Sequence, residues 1–221
     1  MPTAMITGAA GGLGAAIATA LAPTHTLFLA GRPSPRLDAL ADEFGATTWP
    51  MDFGDLDGLA AVVEPIDSLD VLVHNAGVAF PAALADSTID EWRASFEVNV
   101  VGAVALTQAL LPVLRASRTH VLVVNSGSGL KVHTGMASYS ASKFAARAFA
   151  DSLRVEEPLL RVTSVHPGRV DTPMQERLIA FEGRDYRPAD FLRPAAVAEV
   201  IAGVVNGPPD AHIHEIVVRP S

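Results

Sequence analysis

Two periodicities alternate along the chain. Short runs rich in apolar and β-branched residues occur at Thr3–Thr7, Thr26–Ala30, Thr47–Met51, Leu69–His74, His120–Ser126, Arg161–His166 and Ile213–Val218. Between them lie Ala- and Leu-rich segments with helical spacing; Leu13, Ile17 and Leu21 place one apolar stripe on the first of these. Ser34 followed by Pro35 reads as the N-cap and first residue of a helix ending near Gly45: a serine oxygen satisfies a free N–H, and proline has none to lose. Thr88-Ile89-Asp90-Glu91 has the spacing of a capping box and opens a long helix running to about Leu114, and another helix covers 137–156. Strand–helix alternation predicts an α/β fold, with a parallel sheet covered by helices on both faces. Thr172 to Pro194 is the least periodic stretch of the second half and is expected to form a lid-like excursion. Gly207-Pro208-Pro209 should turn the chain into the last strand. No linker, charge block or repeat divides residues 1–221, so one domain is expected.

Composition narrows the function classes. Of the 221 residues, 49% are hydrophobic and 18% charged, which supplies a large core and argues against disorder. The formal net charge of −8 disfavours nucleic acid as a partner. Without cysteine there are no disulfides or thiolate metal sites; His212 and His214 have no carboxylate set to complete a site, so no metal is expected. The most apolar long segment, Val98 to Leu114, contains Asn99, Thr107, Gln108 and Pro112 and falls short of the ~20 apolar residues of a membrane span. The N-terminus lacks the basic and apolar regions of a signal peptide. A cytoplasmic protein without a membrane partner is expected.

The first strand runs into Thr7-Gly8-Ala9-Ala10-Gly11-Gly12-Leu13-Gly14, directly before a helix. Gly8, Gly12 and Gly14 let a ligand approach the backbone, while the helix start offers unpaired N–H groups to a pyrophosphate. A ligand-free tight turn is the plainer alternative. Dinucleotide sites often carry an acidic residue on the ribose 2′-hydroxyl about 20 residues beyond the glycines. Here the second strand instead ends at Gly31-Arg32, and Arg32 could pair with a 2′-phosphate, which favours NADP(H) over a still possible NAD(H). Asp52 could accept from an adenine amino group or cap a helix.

Tyr139 and Lys143 are four residues apart, one turn along a helix face. A free tyrosine, with a pKa near about 10, shuttles protons poorly at neutral pH, and a nearby ammonium would lower that value. The spacing alone is weak. Its company is specific: with the Thr7–Gly14 turn come His74-Asn75-Ala76-Gly77, Asn99, Ser126 and Pro167-Gly168-Arg169-Val170-Asp171-Thr172, in this order. Across its entire length the chain resembles the short-chain dehydrogenase/reductase family.

That resemblance implies a Rossmann-type, doubly wound sheet of seven strands in the order 3-2-1-4-5-6-7. It implies that Tyr139 is the general acid and base, that Ser126 holds the substrate oxygen, and that Asn99 anchors a proton-relaying water. Lys143 would hold the nicotinamide ribose and tune Tyr139. Gly8, Gly12, Leu13, Gly14, Arg32, Asp52, Asn75, Ala76, Gly77, Pro167, Gly168, Val170 and Thr172 would line the coenzyme. Ser128 could replace Ser126, and Asn99 or Thr172 could be purely structural. His133 and His166 have no motif partner and read as surface or packing residues. His74 departs from the commoner Asn at its position. The resemblance implies a reductase or dehydrogenase acting on a small carbonyl compound or secondary alcohol, with a substrate wall from Ala79, Phe80, 130–133, Phe181 and Tyr186. A non-catalytic NADP(H) redox sensor is the rival from another class. A homodimer or homotetramer would pair through helices 88–114 and 137–156, whose Ala103, Ala145, Ala146 and Phe149 look exposed.

Overall fold

The computed structural model describes residues 1–208 and 210–221; Pro209, part of the expected turn before the last strand, lies outside the described residues. The chain runs β1 (Thr3–Thr7), α1 (Gly12–Leu21), β2 (Thr26–Gly31), α2 (Pro35–Phe44), β3 (Thr47–Pro50), α3 (Leu59–Val63) and β4 (Val71–His74). The second half contains α4 (Ile89–Phe96), α5 (Gly102–Ser117), β5 (His120–Val124), α6 (Ala137–Glu156), β6 (Arg161–Pro167), α7 (Pro173–Phe181), α8 (Pro194–Val205) and β7 (Glu215–Val218). All seven strands form one parallel sheet in the order 3-2-1-4-5-6-7. The order reverses between β1 and β4, opening a crevice at their C-terminal ends.

Each face of the sheet has its own core. Ala4 and Ile6 point to one, with Ile17 and Leu21 of α1 and Val197 and Ile201 of α8. Met5 and Leu72 point to the other, with Leu106, Leu110 and Leu114 of α5 and Leu153 of α6. Burial on both sides is why these strands read as continuous apolar runs.

Local sequence explains the helix starts. The Ser34 hydroxyl accepts from the Leu37 N–H, and Gly45 closes α2 in the left-handed region at φ 59°. Thr88 and Glu91 form a reciprocal capping box. The helix that follows is not uniform: a π-turn over Glu97–Val101 joins α4 to α5, so Ile89–Ser117 is one continuous helical rod. At 29 residues with a mean hydropathy of 1.6 in its most apolar window, the rod exceeds the length and apolarity expected from Val98–Leu114. By those criteria alone it could cross a bilayer, but its Leu106, Leu110 and Leu114 fill the core. Two further expectations change. Asp52 caps no helix; its carboxylate accepts from the Gly54 N–H in a local turn, and α3 begins only at Leu59. Residues 172–194 are not irregular throughout, since they include α7.

Candidate active site

The glycine turn is built against the end of β4. Gly8 adopts φ 62°, and a Cβ there would lie 2.9 Å from the Ala76 Cα. Asn75 braces the same turn, its side-chain amide donating to the Thr7 and Gly8 carbonyls at 3.0 and 3.3 Å. The Thr7 hydroxyl accepts from the Asn75 and Ala76 N–H groups at 2.9 and 3.0 Å. The N-cap residue of α1, Gly11, supplies no side-chain cap, and the first turn contains no acidic residue. The N–H groups around Gly12, Leu13 and Gly14 therefore remain available to an anionic group, so this cradle fits a dinucleotide pyrophosphate. Arg32 stands exposed one residue beyond β2, and Asp52 is exposed beyond β3.

The opposite wall comes from the chain after β6. Pro167 ends that strand, and the Gly168 N–H donates to the Val218 carbonyl at 2.7 Å. Val170 pairs with Leu192 across an isolated bridge. Thr172 caps α7, its hydroxyl accepting from the Gln175 N–H and donating to the Val170 carbonyl. Its methyl group would lie 3.1 Å from a Cβ on Gly12, so the start of α7 faces the glycine turn directly.

Tyr139 and Lys143, both buried, project from α6, and Lys143 Nζ lies 5.7 Å from the Tyr139 ring centroid. The ammonium donates to the Val124 carbonyl at 3.0 Å, and burial holds its pKa down at about 8. Burial also raises the Tyr139 phenol above the ordinary value, while the Ser126 hydroxyl beside it pulls the other way. The phenol is therefore less acidic than the Lys143 argument anticipates, because removal from water dominates its surroundings. Of the two serines considered, Ser126 is the one whose side chain influences the Tyr139 phenol. Its hydroxyl also accepts from the Ser128 N–H at 3.1 Å.

Asn99 lies within the π-turn, buried. It accepts from the Val78 N–H at 2.8 Å and donates to the Val78 carbonyl and the Ser142 hydroxyl, each at 2.9 Å. Ser142 donates in turn to the Tyr139 carbonyl at 2.8 Å, so Asn99 ties the chain after Gly77 to the helix of Tyr139. Both amide hydrogens are thereby engaged with protein. A Cβ on Gly77 would lie 3.6 Å from Lys143 Nζ, which sets this glycine beside the ammonium.

A family model described as short chain dehydrogenase matches residues 2–183. The chain belongs to the short-chain dehydrogenase family. An uncharacterized oxidoreductase of Staphylococcus epidermidis is 30% identical over 229 residues, covering 98% of this chain and 96% of the relative. Glycine betaine reductase of Emericella nidulans is 33% identical over 98% of this chain, which spans 18% of that larger protein. Among solved structures, an alcohol dehydrogenase from the archaeon Thermococcus sibiricus complexed with 5-hydroxy-NADP superposes with a TM-score of 0.88 at 28% identity, covering 99% of this chain and 96% of the other. The short-chain dehydrogenase described here is thus an oxidoreductase of the NAD(P)-dependent kind.

Several side chains take other places than expected. Tyr186 donates its hydroxyl to Asp171 and stacks on Phe191 with centroids 5.1 Å apart, so it braces its own loop. Val132 and His133 line an open hollow of about 700 Å3 with Leu84 and Phe144, and Tyr139 is not part of its lining. The apolar neighbours of Tyr139 are Ala79 and Met136, with Met174 and Leu178 of α7 packed against them. The two α7 residues lie within the stretch read as irregular; the Thr172-Pro173 start signal was the clue to a helix there. Ala103 and Ala146 are buried and Phe149 packs edge-on against His74, so none of these forms an outer face. Spacing explains it: Ala146 and Ala150 follow Lys143 on the inward stripe of α6. His74 itself is buried, paired with the Thr107 hydroxyl at 2.9 Å and held neutral by a burial-lowered pKa of about 4.

Proposed function

We propose that this short-chain dehydrogenase is an NADP(H)-preferring carbonyl reductase or alcohol dehydrogenase in which Tyr139 exchanges a proton with the substrate oxygen. The observation that carries this reading is the convergence of Tyr139, Ser126 and Lys143 beside the β1–β4 crevice. The coenzyme, when bound, supplies or takes a hydride. Ser126 donates to the substrate oxygen and Tyr139 provides the proton that completes an alcohol; in reverse, the phenolate removes it. Lys143 holds the ribose and supplies positive charge at the base of the phenol. Asn99 holds the chain after Gly77 in register with α6 as a positioning residue. Ala79, Met136, Met174 and Leu178 exclude water around the reacting oxygen, and suit a small uncharged ketone, aldehyde or secondary alcohol. Residues 172–194 act as the lid of this site.

The preference for NADP(H) rests on exposed Arg32 beyond β2 and is supported by the Thermococcus sibiricus neighbour, solved with an NADP derivative. Arg32→Ala should weaken NADPH binding about 10- to 100-fold in calorimetric titration, while NADH binding changes less than about twofold. Equal losses for both coenzymes would refute the assignment.

The oligomer proposed is a homodimer or homotetramer through the Ile89–Ser117 rod and α6. Exposed Val101 and Phe144 replace the alanines as its apolar contacts. Sedimentation at micromolar protein should give a species larger than 23.1 kDa; a monomer alone would reject it.

A further inference from the structure

Behind Ser126 lies a buried imidazole that the chemistry above does not use. His166, next to last in β6, places Nδ1 3.1 Å from the Ser126 carbonyl oxygen. A carbonyl only accepts, so Nδ1 carries the hydrogen. In the neutral ring Nε2 is then a bare lone pair, without a hydrogen-bond partner among the described residues. Groups from three places face the ring. Glu215 of β7 approaches Nε2 at 3.7 Å, and Arg147 of α6 holds that carboxylate at 3.0 Å. Arg219, just after β7, donates to the His166 carbonyl at 3.0 Å. Burial, Arg147 and Arg219 favour the neutral ring; the Ser126 carbonyl and Glu215 oppose them, and the pKa stays below the ordinary histidine value.

Ser126 is held by backbone bonds of its own turn: its hydroxyl accepts from the Ser128 N–H at 3.1 Å, and its peptide groups are tied as well. Its N–H donates to the Asn125 side chain at 2.8 Å, and its carbonyl also accepts from the Gly129 N–H at 3.0 Å. The Arg219 guanidinium lies 3.2–3.4 Å from where a Cβ on Gly127 would stand, closing the turn from behind. The direction of the Ser126 hydroxyl therefore follows the orientation of this backbone, and His166 is the one side chain among the described residues bonded to the Ser126 carbonyl.

We propose that His166 is a positioning residue for Ser126: by donating Nδ1–H to the Ser126 carbonyl, it aims the Ser126 hydroxyl at the substrate oxygen beside Tyr139. The inference rests on the role given to Ser126 under the proposed function. It assigns no proton transfer to His166.

The test is a mutant cycle on the intact protein, with NADPH and the fastest substrate from a panel of aliphatic and aromatic aldehydes and ketones. His166→Leu removes the donor; His166→Asn keeps an N–H where Nδ1 stood. His166→Leu should lower kcat about 10-fold with NADPH affinity within about twofold, since misplacement of about 1 Å can cost 100-fold. His166→Asn should recover most of that loss. In a Ser126→Ala background, His166→Leu should cost nothing further. Additive losses, or an Asn variant as slow as Leu, would overturn the proposal. Should Ser126→Ala itself leave the rate unchanged, the reading of Ser126 fails and this one falls with it. Nitrogen-15 spectra of histidine-labelled protein, assigned by difference against His166→Asn, give a readout independent of turnover. They should show the Nδ1–H tautomer at neutral pH; an Nε2–H tautomer would contradict the proposal even if His166→Leu failed to fold.

Discussion

Tyr139→Phe is expected to lower carbonyl reduction by about 100- to 10 000-fold, the range a positioned proton donor supplies, while leaving NADPH binding nearly intact. Only the hydroxyl is removed; the ring still packs against Ala79, Met136, Met174 and Leu178. The pH dependence follows from the same surroundings. Burial raises the phenol, so it stays protonated through neutral pH, the form that reduction consumes. Alcohol oxidation needs the phenolate and should accelerate as pH rises. Lys143, at about 8, keeps its charge below that pH and loses it above, so reduction should decline on the alkaline side. Steady-state profiles in both directions check the signs. A Phe variant retaining more than about a tenth of the wild-type rate would remove Tyr139 from the chemistry.

Gly14→Ala should abolish coenzyme binding and cost several kcal/mol of stability, on the order of the largest single-residue effects. The added Cβ would sit 2.3 Å from the Gly8 carbonyl oxygen, 2.8 Å from Asn75 Nδ2 and 3.0 Å from the Ala9 Cα. Two of these are backbone atoms of the turn itself, and the third belongs to the side chain that braces it. Relief requires moving the turn away from the start of α1, which dismantles the anion cradle. Thermal melting together with NADPH titration reads both consequences. Gly45→Ala is the contrast: it meets no atom within 4 Å, and its φ of 59° limits the damage to backbone strain of about 1 kcal/mol far from the crevice.

Much of this architecture is written in local signals. The sheet runs, the Ser34-Pro35 start and the Thr88–Glu91 box depend on neighbours within a few residues, so each can be read without knowing the fold. The π-turn at Glu97–Val101 is different: one extra residue in a turn barely changes an apolar helical pattern. Exposure was also hidden. Ala103 and Ala146 are small enough for either surface or core, and only sheet packing decides between them. Glu215 lies far along the chain from Ser126, so nothing near His166 in sequence announces its partners. The acidity of Tyr139 was the least legible quantity, because the four-residue spacing to Lys143 gives the attraction but not the burial opposing it.

The most direct measurement is a crystal structure of the protein with NADP+ bound. The nicotinamide ring should lie over the C-terminal ends of β1 and β4, its ribose on Lys143 and its reactive carbon facing the space between Ser126 and Tyr139. A ring resting outside that space, with the Tyr139 phenol beyond reach of any atom bound beside it, would contradict the account.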